Sequence, residues 1–146
     1  MWQRIQTLYM AISTILTVVM LISDIAVIYS ADGVASESFG FAQYLPFLIL
    51  LIVILLLDII ALAAYKFLVF QMRTASLAAL ITLALQIWVA VVFFSTPEQW
   101  VFKIPAVFPA VCVILDILAA RAIMGDKMIV ESASSLRKSR RERRRR

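Results

Sequence analysis

The stretch YLPFLILLIVILLLDIIALAAY occupies residues 44–65 and carries a single charged side chain, Asp58. A helix needs about 20 consecutive apolar residues to cross a hydrocarbon core about 30 Å thick. A backbone in lipid must satisfy its N–H and C=O groups internally, and a single segment achieves that only as a helix. The run is also too long for a buried strand. It reads as a membrane-spanning helix, and Asp58 is the residue that needs explaining.

Three more runs of this kind flank it, at about 8–29, 74–94 and 104–123. The whole chain of 146 residues is 64% hydrophobic, against about 45–50% for soluble domains. The expected fold is an all-α membrane protein, a four-transmembrane-helix up-down bundle over residues 1–124 followed by a tail at 125–146. A cleavable signal is the competing reading of the first run. That run exceeds the usual apolar core of about 7–15 residues, and the cleavage-like Val34-Ala35-Ser36 follows a polar loop, so a retained helix is expected.

Charge orients the runs. Residues 66–73 hold Lys66 and Arg73 and no acid, whereas residues 30–43 hold Asp32 and Glu37 and no base. Arg4 precedes the first run, and nine of the 14 Lys and Arg residues lie at or beyond Lys127. Because Lys and Arg stay on the cytoplasmic side, both termini are expected inside the cytoplasmic membrane. Lys103, in the 95–103 connection with Glu98, is the one base on the wrong side. Trp2 and Trp100 are expected at the two interfaces as aromatic anchors.

In the tail, Asp126 is placed to cap a new helical turn. Ile129, Ala133 and Leu136 then form a narrow apolar stripe. A short amphipathic helix is expected, with disorder beyond Leu136, where only polar and charged residues remain.

Three stretches carry a resemblance. The opening MWQRIQTLY at 1–9, the basic loop with Tyr65-Lys66 and Gln71-Met72-Arg73, and DKMIVESASSLR at 126–137 resemble the motifs of an uncharacterised Bacteroidota membrane-protein family catalogued as domain of unknown function 4293. The resemblance covers essentially the whole chain and implies a small inner-membrane protein of four helices. It implies no activity and assigns no role to Asp58 or Asp116. The run RRERRRR after residue 139 extends past the family motif.

The chemistry on offer is narrow. The chain has no His and one Cys, Cys112. That removes the commonest general base and metal ligand and excludes a disulfide framework or a cysteine-rich metal cluster. No phosphate-binding glycine loop or nucleophile–base pairing is present. No catalytic residue, cofactor or metal is expected, and the chain is read as a non-enzyme. Cys112 reads as a small core residue. Ser13, Thr14 and Gln86 read as helix residues bonded to backbone or neighbours.

Two acids remain within the apolar runs. Asp58 precedes Lys66 by eight residues and Asp116 precedes Arg121 by five. The second and fourth runs cross in the same direction, so the acids are expected at similar depth. Diagonal helices of a bundle can face each other across the core. An ionised Asp near mid-membrane costs about 2.5–3.5 kcal/mol on insertion scales, so each acid must be neutral, paired or facing water. Arg121 is the alternative partner, better placed to reach another helix than its own acid. Pro109, Cys112, Ala119 and Ala120 make the Asp116 side suitable for close helix packing. The acids read first as interhelical hydrogen-bonding groups, then as contacts to a partner's basic residue, then as a proton or ion site.

The tail offers Arg137, Lys138, Arg140, Arg141, Arg143, Arg144, Arg145 and Arg146. Eight cations in ten residues fix the C-terminus inside and suit an anionic leaflet. They also suit a membrane-protein partner. RNA is the weaker alternative, since no aromatic residue is interleaved for base stacking. The expected function is a non-catalytic accessory or scaffold subunit of a larger membrane assembly. The alternatives are a small oligomeric transporter or proton-linked carrier using Asp58 and Asp116, and a membrane anchor for RNA or ribosomes. The expected partners are membrane lipid and a membrane protein or second copy.

Overall fold

A computed structural model describes residues 2–96 and 100–145, with side chains from Ile5 onward. The side chains of Trp2 and Arg4, and residues Glu98 and Arg146, all used in the topology argument, lie outside the described set. The elements in chain order are α1 (Trp2–Ile22), β1 (Asp24–Tyr29), β2 (Ala35–Gly40), α2 (Leu45–Ala63), α3 (Leu68–Ser95), β3 (Trp100–Phe102), a 3-10 turn (Ile104–Val107) and α4 (Phe108–Arg145). Four helices are long and apolar enough to cross a membrane. α1 packs against α2 and α4, and α3 packs against α2 and α4, which leaves α2 and α4 diagonal to each other.

Each helix buries residues spaced alternately four and three apart. The stripe is Gln6, Met10, Ser13, Thr17 and Met20 in α1. In α2 it is Phe47, Leu51, Ile54, Asp58 and Ala61. In α4 it is Pro109, Cys112, Asp116, Ala119 and Ile123. Alternating steps of three and four average 3.5 residues, the repeat that keeps one seam facing its neighbours. In α3 the buried face is small and polar over Gln71, Thr74, Ala75, Ala78 and Thr82, and turns apolar at Leu85 and Val89. Its exposed face carries Leu77, Leu80, Leu83, Ile87, Trp88, Phe93 and Phe94. A water-soluble helix does the reverse. Small residues inside and large apolar ones outside suit a helix solvated by lipid.

The structure corrects the all-α expectation. A three-stranded antiparallel sheet of order β2-β1-β3 caps one end of the helical layer. The first run does not remain helical to residue 29. Its helix stops at Ile22, where the Ser23 hydroxyl donates to the Val19 carbonyl at 2.6 Å. DIAVIY then becomes the central strand, with Val27 opposite both Ser38 and Val101. Its β-branched residues fit a pleated surface, and strands on both sides satisfy its backbone. Apolarity alone could not separate this strand from a last helical turn.

The other boundaries shift for local reasons. The second helix spans 45–63, not 44–65, and Pro46 opens it, where the missing N–H is harmless. The third helix starts at Leu68 and not at 74, so the connection between α2 and α3 is the turn at 64–67 and Arg73 lies within α3. Arg73 is exposed, and a long basic side chain can carry its charge to the interface from inside a helix. The expected separate tail helix and disordered end are replaced by one helix of 38 residues reaching Arg145. No proline interrupts it, Gly125 costs only about 1 kcal/mol, and Arg, Glu, Leu and Ala are strong helix formers. Every residue from Met128 to Arg145 is exposed.

The interior is layered. One apolar cluster, on the sheet side, contains Met20, Ile25, Phe41, Phe47, Leu51, Ile54 and Leu85. The other contains Met10, Ala61, Ala75, Ala119 and Ile123. The polar side chains described next lie between them.

Candidate functional site

Three helices supply the polar layer. α1 presents Ser13 and Thr17, α2 presents Asp58, and α4 presents Asp116 with Cys112 one turn before it. Exposure is 0% for Ser13, Thr17 and Cys112, 3% for Asp58 and 2% for Asp116. Each occupies a core position of its helix's four-three stripe, so the period that packs the helices also delivers these groups to one level. The diagonal helices α2 and α4 thus each bring one acid into this buried layer.

The hydrogen bonding is incomplete. Thr17 Oγ1 lies 2.9 Å from the Ser13 carbonyl oxygen and 3.5 Å from Asp58 Oδ2. A hydroxyl has one proton to give, so the shorter bond to the backbone dominates and Asp58 receives a weak share. The Cys112 thiol donates to the same Ser13 carbonyl at 3.8 Å. Ser13 Oγ and Asp116 Oδ2 are buried with no hydrogen-bond partner. Most buried polar groups are bonded, and an unpartnered one costs about 1–3 kcal/mol. Ser13 and Asp116 thus leave hydrogen-bonding capacity unused within one buried layer of the described residues.

Asp58 and Asp116 are both buried core residues, on helices diagonal to each other. Arg121 does not join them: it is exposed on α4, at the rim of a shallow groove between α3 and α4. The 140° or so between Asp116 and Arg121 around the helix turns the guanidinium away from the core. The described residues contain one ion pair, Lys103 Nζ to Asp24 Oδ2 at 3.4 Å, beside the sheet. Lys103 thus pairs with the first residue of β1. Cys112 is a buried free thiol. No group of three or more His, Cys, Asp or Glu among the described residues could hold a metal ion.

The other singled-out polar residues bond locally. The Thr14 hydroxyl donates to the Met10 carbonyl at 2.8 Å. Gln86 Oε1 accepts from the Ala110 N–H at 3.1 Å, satisfying one of the orphan donors in the first turn of α4. Asp126 caps no new turn, because α4 runs through it; it accepts a bond from the Gln6 amide. Trp100 stacks near Phe39, with centroids 5.3 Å apart, in an aromatic belt that includes Tyr44, Phe47 and Trp88. Arg137, Lys138, Arg140, Arg141, Arg143, Arg144 and Arg145 are all exposed along α4.

Sequence reasoning missed Gln6 and Thr17 and read Ser13 as a helix residue bonded to backbone or neighbours. The signal was present: Gln6, Ser13 and Thr17 sit seven and four apart on the face that carries Met10 and Met20. Along an apolar helix, a polar stripe of that spacing points inward.

The family model described as Domain of unknown function (DUF4293) matches residues 2–136, and the chain belongs to that family. No curated protein and no solved structure matches the chain.

Proposed function

We propose that this DUF4293 member is a polytopic protein of the cytoplasmic membrane with both termini inside, working without catalytic chemistry as an accessory or scaffold subunit of a larger membrane assembly. The observation that carries this reading is the α4 extension, exposed from Met128 to Arg145. This stretch has none of the tertiary packing that supplies most helical stability in proteins. Arg137, Arg140, Arg141 and Arg144 fall at i, i+3, i+4 and i+7, so like charges share one face and weaken it further. A partner of opposite charge removes that repulsion, either a membrane protein or the anionic leaflet. RNA gains less support, because residues 125–145 contain no aromatic side chain. The test is affinity purification from the native host in mild detergent, with and without residues 137–146, read by mass spectrometry. A stoichiometric partner lost on truncation supports docking by the tail. A partner kept on truncation moves the interface to the transmembrane helices. No partner in either case overturns the subunit reading.

A second reading is favoured by the polar layer: a small oligomeric carrier that moves a proton through Asp58 and Asp116. Two adjacent carboxyl groups with one proton between them carry one charge instead of two, which suits a layer without a cation. Ser13 Oγ is placed to take part. Four helices make a small carrier, so oligomerisation is part of this reading. Reconstituted vesicles loaded with a pH-sensitive dye and driven by a potassium diffusion potential test it. Proton uptake abolished in both Asp58→Asn and Asp116→Asn supports it; equal rates in wild type and both variants end it.

A further inference from the structure

At the end of the helical layer opposite the sheet, the 64–67 turn and the first turns of α3 face α4 where it leaves the layer. A cavity of about 700 Å³ opens between them. Lys66, Arg73 and Lys127 line it, drawn from the turn, α3 and α4, and Glu131 is the one acid on its wall. The rest of the lining is apolar and includes Phe67 and Phe70, which remain 70% and 51% exposed. The Lys66 ammonium rests over the Tyr65 ring, 5.7 Å from its centroid, which holds that charge at the turn.

The cavity therefore joins two chemistries. Three cations against one acid call for an anion. Large apolar side chains beside them call for hydrocarbon. A soluble phosphate would meet the first need and leave both phenylalanines in water. An apolar peptide would leave three charges unmatched. We propose that this cavity binds an anionic glycerophospholipid, its phosphate against Lys66, Arg73 and Lys127 and an acyl chain descending along Phe70 and the outer face of α3. Basic pockets at the ends of transmembrane helices suit such headgroups, and aromatic side chains favour the interfacial depth. This site is separate from the Arg-rich end of α4 and needs neither the subunit nor the carrier reading.

Native mass spectrometry of the full-length protein, stripped of lipid in a non-ionic detergent, tests the proposal. The probes are phosphatidylglycerol, phosphatidylcholine of the same chain length, and glycerol 3-phosphate as the headgroup without chains. One saturable phosphatidylglycerol is expected, with much weaker phosphatidylcholine binding. Each neutralised cation should lower affinity about fivefold, so Lys66→Gln with Arg73→Gln and Lys127→Gln should together lower it about a hundredfold. Lys66→Arg with Lys127→Arg keeps the charge and should bind as wild type, which separates lost binding from misfolding. Phe67→Ser with Phe70→Ser should weaken the lipid and leave glycerol 3-phosphate binding as weak as before. A chain ending at Leu136 should bind normally. Equal retention of both lipids, unchanged affinity in the triple variant, glycerol 3-phosphate competing as well as the lipid, or binding lost only on truncation would each overturn the proposal.

Discussion

Asp58 and Asp116 sit on helices that do not neighbour each other, so any coupling between them must act through the polar layer. If they share it, their substitutions are not additive. A double-mutant cycle with Asp58→Asn and Asp116→Asn, read by denaturant unfolding in detergent, should give an interaction energy of about 0.5–3 kcal/mol. Additivity within about 0.3 kcal/mol would separate the two sites. The hydroxyls give a sharper contrast. Thr17→Val removes a bonded group and should cost about 1 kcal/mol. Ser13→Ala removes an orphan and should leave stability equal or higher. A loss with Ser13→Ala as large as that with Thr17→Val would mean that the Ser13 hydroxyl is bonded in the working protein. At this scale the acids were legible because a charge stands out in an apolar run. Ser13 and Thr17 were not, because a lone hydroxyl in a membrane helix normally bonds its own backbone, as Thr14 does.

The helices were read from their length, and length is also why the strand was missed. Asp24–Tyr29 continues the apolarity of α1, and the lipid argument demands helix only for residues inside the hydrocarbon. Outside it, Ala35–Gly40 and Trp100–Phe102 are free to supply backbone partners. No local pattern in ASESFG announces a strand, so the sheet is a tertiary result. As the central strand, β1 tolerates proline poorly. Val27→Pro removes a ladder hydrogen bond and should destabilise the protein by about 1–3 kcal/mol, read as a fall in unfolding midpoint in detergent. Asp24→Asn should cost under about 1 kcal/mol, because its bond to Lys103 is solvent-exposed. If Val27→Pro were as mild as Asp24→Asn, the sheet would not be part of the stable structure. The inner turn was misplaced because Arg73 was taken as a loop marker, although a helix can carry such a side chain at its end. The α4 extension was missed because charge was equated with disorder, whereas Arg and Glu favour helix.

Buried Gln, Ser, Thr and two Asp share the interior with Met, Phe, Leu and Ile, while Leu, Ile, Phe and Trp cover the outer faces. Four such helices, a small sheet at one end and a basic helix projecting from the other make sense together only if lipid covers the middle. The proposed topology puts β2 and Lys103 in one compartment and Lys66 and the α4 extension in the other. Labelling by a membrane-impermeant thiol reagent tests this most directly. Single cysteines at Ser36, Lys103, Lys66 and Ser139, each in a Cys112→Ala background, would be probed in intact cells and again after permeabilisation. Ser36→Cys and Lys103→Cys should label in intact cells, and Lys66→Cys and Ser139→Cys only once the membrane is opened. Labelling of Lys66→Cys in intact cells, or of all four positions alike, would contradict the account.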